Sequence, residues 1–246
     1  MKLEKIVKLK NGKYKLYLDN KEVITTFDDV ILKNNLLFNK EIDNELYSKI
    51  INENNYYELL NSCIKRISRR LRSEKEIKNY LEKKTNDIHL IEYIIVELKQ
   101  KNYINDLLFT KAYLSDKLTL TNSGVNKIKS ELYNLGIEEE IINDVLENNN
   151  IKNDPKKLEN MIKKKIKLNN KYSNNYLKQK ILNDMINLGY DREEIINILD
   201  QNIKDDKDIY EKEYKKLYEK LKKKYQGKEL EYQINQRLYR KGFINK

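Results

Sequence analysis

The chain has one proline, one cysteine, one histidine, six glycines and no tryptophan in 246 residues. A single cysteine, Cys63, excludes an internal disulfide and every multi-cysteine metal site, and it suits a reducing cytosol. So little glycine and proline excludes turn-rich sandwiches and barrels. Neither GxxxxGK[ST] nor GxGxxG occurs, so no glycine loop cradles a phosphate. Long apolar runs are missing as well. The longest, Tyr93 to Val96, is far short of a membrane span, and Met1-Lys2-Leu3-Glu4 lacks the apolar stretch of a signal peptide. A cytoplasmic protein with no membrane attachment is expected.

Charge is what the chain has in excess. Charged residues make up 36% against 39% hydrophobic, and fifty Lys+Arg over thirty-nine Asp+Glu leave a formal +11. That sign fits a partner of nucleic acid or of an acidic surface. Apolar residues spread this thinly suit several small helical units side by side better than one deep core.

Residues 4–26 alternate apolar and polar around Asn11-Gly12 and Asp19-Asn20, the pattern of a β-hairpin or three-stranded meander. Asp28 is placed to cap a short helix to about Asn34, and Asp43 another to about Glu53. From Asn54 onward only helices are expected, and they repeat. Gly136, Gly189 and Gly242 are 53 residues apart. Ile128, Ile181 and Ile234 stand eight residues before them, and Leu132, Met185 and Leu238 four before. An earlier copy has Ile77 and Leu81 but Thr85 in place of glycine, so that helix end is expected to be looser.

Each unit reads as a leading helix, a second helix ending at the glycine position and a third with an apolar face. The predicted helices are 55–69, 73–84 and 87–101, then 105–118, 122–135 and 138–148. The third unit has 154–169, 173–188 and 191–201, and the last 206–225 and 228–241. Glycine supplies the left-handed cap that ends each second helix, and Ser73, Ser123 and Ser173 are candidate N-caps. The predicted fold class is mainly α: tandem three-helix repeats forming an elongated array behind a small N-terminal β segment. Its divisions are residues 1–53, repeats at 54–104, 105–150 and 151–203, and a partial fourth at 204–246.

Catalytic equipment is sparse. His89 has no partner His or Cys for a metal, and Cys63 lies on the apolar side of a helix. Asp28-Asp29 and Asp205-Asp206 fall where helices begin, and capping accounts for them. Nineteen tyrosines raise the thought of base stacking, but Tyr80, Tyr93, Tyr103, Tyr113 and Tyr133 sit at helical spacing and are expected in cores. No enzyme activity, metal or cofactor is expected.

Arginine placement is the sharper signal. Of seven arginines, Arg66, Arg69, Arg70 and Arg72 gather at the junction of two helices with Lys75 beside them. The planar guanidinium fork suits phosphate and carboxylate. Arg237, Arg240 and Lys241 echo this in the last unit, behind Lys222-Lys223-Lys224, whereas Lys163-Lys164-Lys165 reads as a solvated face.

The stretch Ile67-Ser68-Arg69-Arg70-Leu71-Arg72-Ser73-Glu74-Lys75-Glu76-Ile77, followed by Tyr80-Leu81, resembles the signature of the RecX family of regulatory proteins. Tyr103-Ile104-Asn105-Asp106 with Phe109 and Tyr113 resembles a second family segment. Asn102 stands where the family has glycine, and Thr110 and Lys117 where alanine and arginine are usual. The resemblance implies tandem three-helix units that bind the RecA recombinase filament on single-stranded DNA. It also implies inhibition of recombinase, ATPase and coprotease activity, without catalysis, in DNA repair, homologous recombination and the SOS response. Direct binding to single-stranded DNA is then expected to be weak and salt-dependent. Arg66, Arg69, Arg70, Arg72, Lys75, Arg237, Arg240 and Lys241 are the candidate contacts with filament and DNA. The alternative is a direct DNA-binding, helix-turn-helix-like protein. Against it, the third helices are acidic at Glu92, Glu97, Glu138 to Glu140, Glu193 and Glu194.

Overall fold

In a computed structural model describing residues 1–10, 12–169, 171–203 and 208–243, the alternation near the start becomes an antiparallel meander. Its strands are β1 (Leu3–Lys8), β2 (Tyr14–Leu18) and β3 (Val23–Thr26). Leu16 pairs with Ile6 on one side and Ile24 on the other. The two-residue period puts Leu16, Leu18, Ile24 and Thr26 on one buried face. Of the predicted Asn11-Gly12 turn, Asn11 lies outside the described residues; Gly12 closes the turn by donating to the Leu9 carbonyl at 3.1 Å.

Helix α1 (Asp28–Lys33) starts one residue earlier than expected. Phe27 takes the N-cap position, and Asp28 is the first helical residue rather than the cap. Its carboxylate accepts the Asp29 amide at 3.1 Å instead. Asp43 caps α2 (Asn44–Ile67) as predicted, accepting the Leu46 amide at 2.7 Å.

The end expected near Glu53 does not occur. Helix α2 runs for 24 residues through the predicted division at 53/54. No glycine or proline interrupts it, and each half has an apolar stripe to bury. Ile50 joins the core of the sheet and α1, while Leu59, Leu60, Cys63 and Ile67 join the next core. The polar residues between them hold the N-terminal segment. Asn54 Oδ1 accepts the Thr26 hydroxyl at 2.6 Å, and Glu53 pairs with Lys33 at 3.1 Å.

Ten more helices follow among the described residues: α3 (Glu74–Glu82), α4 (Ile88–Gln100), α5 (Asp106–Leu120), α6 (Val125–Asn134) and α7 (Glu139–Asn148). Then come α8 (Pro155–Leu168), α9 (Asn174–Asn187), α10 (Arg192–Asn202), α11 (Asp208–Leu221) and α12 (Gly227–Tyr239). Asp205, Asp206 and the predicted start of the helix at 206 lie outside the described residues. None of these helices is long and apolar enough to cross a membrane. The chain divides into two compact units, Met1–Phe109 and Thr110–Lys246. In the first, α2, α3 and α4 share a core containing Cys63, Ile77, Leu81, Ile94 and Leu98. In the second, α8, α9 and α10 bury Ile162, Ile181, Met185 and Ile195, and α11 and α12 bury Leu221, Ile234 and Leu238.

Helix ends follow the repeat. Gly136, Gly189 and Gly242 all adopt φ of 83 to 86°, and the next residue donates back to the carbonyl five before it. Thr85 closes α3 without that conformation. Its amide donates to Leu81 at 3.0 Å and its hydroxyl accepts the Asp87 amide at 3.1 Å, so the end is held rather than loose. Asn102 and Asn150, with φ of 59° and 49°, terminate α4 and α7 in the glycine manner.

Ser73 and Ser173 cap α3 and α9 as predicted. Ser123 does not cap α6; it is buried, and Gly124 takes the cap position. The reason is a close joint. The Gly124 amide donates to the Leu188 carbonyl at the end of α9 at 2.6 Å, and Asn153 Oδ1 accepts the Val125 amide at 2.9 Å. A backbone pressed against another backbone leaves no room for a serine side chain there.

Candidate nucleic-acid interface

The arginine-rich stretch is the turn between α2 and α3, where α2 ends at Ile67 and Ser68. An apolar helix end packed beneath it and a capped helix start after it fix this turn on both sides. Ser73 accepts the Glu76 amide at 3.2 Å while Glu76 Oε2 accepts the Ser73 amide at 3.3 Å, a reciprocal capping box.

The five basic residues have different surroundings. Arg66 is exposed, with its guanidinium 4.8 Å from the Tyr80 ring centre in a cation–π contact. Arg69 is exposed and has no hydrogen bond or ion pair among the described residues. Lys75 is exposed on the first turn of α3. Arg70 and Arg72 both converge on Glu76. Arg70 Nη2 lies 2.5 Å from Oε1, Arg70 Nη1 3.2 Å from Oε2, and Arg72 Nη1 2.9 Å from Oε1.

Glu76 was not singled out as a site residue from sequence. Its signal was there in the Ser73-x-x-Glu76 spacing of a capping box, but nothing local says that two arginines fold back onto the same carboxylate. Burial pushes this carboxyl up; hydrogen bonds from Arg70, Arg72 and the Ser73 amide, with the Arg70 charge, outweigh that and hold it below the usual carboxylate range.

The second cluster lies in the other compact unit, around the end of α12. Arg237 is half-buried and Arg240 exposed. Lys241 is held by an ion pair with Glu213, a buried residue of α11, and its carbonyl accepts the Ser173 amide at 3.0 Å. Lys241 therefore serves the packing of this unit. In the lysine run on α8, Lys163 pairs with Glu159 and Lys165 with Asp184, and Lys164 is exposed.

The tyrosines depart from expectation. Tyr80 and Tyr113 are half-buried, but Tyr93, Tyr103 and Tyr133 are exposed. A phenol needs a partner or water for its hydroxyl, so it settles at core margins where an isoleucine would be covered. Among the described residues only Tyr190 is fully buried.

No protein-family model matches the chain. It is 33% identical over 184 residues to the regulatory protein RecX of Listeria monocytogenes serotype 4a, covering 74% of this chain and 67% of that one. It is 32% identical over 214 residues to RecX of Listeria welshimeri, covering 83% and 78%. A crystal structure of a regulatory protein RecX superposes with a TM-score of 0.64 over 81% of this chain and 98% of that one. At 21% identity, that likeness shows a shared fold. Identity at this level over two thirds or more of the relatives makes the conclusion plain: the chain belongs to the RecX family of regulatory proteins.

Proposed function

We propose that this chain is a non-enzymatic regulator that binds RecA filaments on single-stranded DNA and inhibits their ATPase, recombinase and coprotease activities in the cytoplasm. The observation that carries the reading is the α2–α3 turn. It presents Arg69 exposed and without a side-chain partner among the described residues, and Arg66 exposed at the end of α2, where phosphates and acidic protein groups can reach both. Arg66, Arg69, Arg70, Arg72 and Lys75 form the primary contact region; Arg237 and Arg240 mark a second, next to Lys241, whose ion pair with Glu213 gives it to packing. A chain with basic groups in two compact units can engage a repeating polymer at two points, which multiplies weak contacts.

The state of the reactive side chains supports a role without catalysis. Cys63 is fully buried and its thiol is pushed up to about 11 by burial, and His89 stands exposed at the start of α4.

The test is RecA ATP hydrolysis on single-stranded DNA, titrated with this protein below stoichiometry, with bare-DNA binding measured at the same salt. Loss of hydrolysis well below the concentration that coats the DNA is the expected result. Unchanged hydrolysis together with tight binding to DNA alone would overturn the reading. Arg69→Glu with Arg70→Glu should abolish the effect in a folded protein.

A further inference from the structure

The arginine turn holds more hydrogen-bond donors than acceptors. The two oxygens of Glu76 accept two bonds from Arg70, one from Arg72 and one from the Ser73 amide. Arg72 Nε is buried with no hydrogen-bond partner among the described residues. Bidentate capture of a guanidinium by two oxygens is also how arginine takes a phosphodiester, so Glu76 occupies on Arg70 the place of a nucleic-acid phosphate.

The two arginines are not equivalent. The Arg72 side chain is 16% exposed and Arg70 52%. Arg72 is therefore an anchor that keeps Glu76 neutralised and the α3 cap in place. Arg70 also donates to the Leu71 carbonyl at 3.0 Å, but its guanidinium is open to solvent and can turn outward without uncovering a core.

We propose that Glu76 is an electrostatic latch on Arg70, satisfying its fork in the free protein and against stray single-stranded DNA, and yielding it to a phosphodiester only when the strand is presented at the turn with additional contacts. This rests on the reading of the turn as a DNA and filament contact. After exchange Glu76 keeps Arg72 and the Ser73 amide, so no carboxylate is stranded, and Arg70 gains the partner it had only internally. In the latched state the site offers bare DNA one arginine fewer, because the Arg70 charge is set against the Glu76 carboxylate. Stray DNA is then held weakly, and DNA presented with additional contacts is held well.

The experiment uses the full chain and a labelled oligo-dT strand, followed by anisotropy across a salt series. Glu76→Gln removes the charge and retains the capping box, because glutamine serves that position as well. Affinity should rise about threefold to tenfold at low salt, and the slope of log K against log salt should steepen by about 0.7, one added phosphate on a single strand. Glu92→Gln, an exposed site on α4 with the same change in net charge, should leave the slope unaltered. In an Arg70→Ala background the gain from Glu76→Gln should vanish. If Glu76→Gln melts early, Glu76→Asp withdraws the carboxylate from Arg70 at constant net charge and should still raise affinity. Equal slopes for wild type and Glu76→Gln, a gain that survives without Arg70, or no oligo-dT binding by either protein would overturn the latch. RecA hydrolysis is scored separately: no inhibition beside an intact latch result would overturn the filament reading alone.

Discussion

The carbonyl oxygen of Gly189 lies 2.5 Å from where a Cβ on Gly124 would stand, so the end of α9 and the start of α6 meet backbone to backbone. The same joint recurs between Ser173, the cap of α9, and Lys241 at the end of α12, where the amide-to-carbonyl distance is 3.0 Å. Gly124→Ala should lower stability by about 2 kcal/mol through forced separation of the two backbones. Gly189→Ala should cost more, since its φ of 86° adds left-handed strain of about 1 to 3 kcal/mol. Gly227→Ala, with a φ of 57° and open space around it, should show about 1 kcal/mol of strain alone. Urea midpoints of the three variants check the ranking.

Removing Lys241 should read as a packing defect. Glu213 is buried, and Lys241→Ala leaves its carboxylate without a cation, at a cost of about 3 kcal/mol. Arg240→Ala, at an exposed position, should leave the melting temperature within about 2 °C and weaken oligo-dT binding. Thermal melts and anisotropy on the pair separate the two roles. The reverse pattern would make Lys241 the contact.

Cys63 should be nearly inert in the native protein. Burial raises its thiol to about 11, against which hydrogen bonding from Ser62 and the charge of Arg66 act only in part. At pH 7.5 that leaves about one molecule in a few thousand as thiolate. Labelling by a disulfide reagent should be slow in buffer and fast in urea, at a rate that follows opening of the α2–α3–α4 core.

Acid should weaken the arginine turn through Glu76. Its folded-state carboxyl titrates below the ordinary value of about 4.3, so its contribution to stability is present above that pH and lost as pH falls through the lower folded value. Urea midpoints should therefore drop more steeply below about pH 4 for wild type than for Glu76→Gln. Parallel pH profiles would show that the carboxylate adds no folded-state stability.

Helical periodicity and end chemistry were legible because they are local. Ile77, Leu81, Ile128, Leu132, Ile181, Met185, Ile234 and Leu238, found by spacing back from the glycine positions, are all buried. Asp43, Ser73 and Ser173 cap where the pattern put them. The ends predicted at 101 and 148 fall within one residue of where α4 and α7 stop, and Asn102 and Asn150 take the left-handed conformation there because asparagine tolerates it as glycine does. The continuous α2 was hidden by polar Glu53 and Asn54, whose partners Lys33, Asn34 and Thr26 lie about twenty to thirty residues away.

The candidate site was legible as a location and not as an arrangement. Four arginines in seven residues mark the turn, yet only folding brings Arg70 and Arg72 onto Glu76, leaves Arg69 without an ion pair among the described residues and gives Lys241 to Glu213. By itself the sequence determined what depends on neighbours three to five residues apart: which segments are helical, where they stop, which face is apolar and which turn is cationic. Tertiary structure decided which charges are spent internally, which tyrosines face water and why Gly124 displaces Ser123 as a cap. Each of those depends on a partner brought near by packing, and a side chain's charge or hydroxyl has no fixed meaning until that partner is in place.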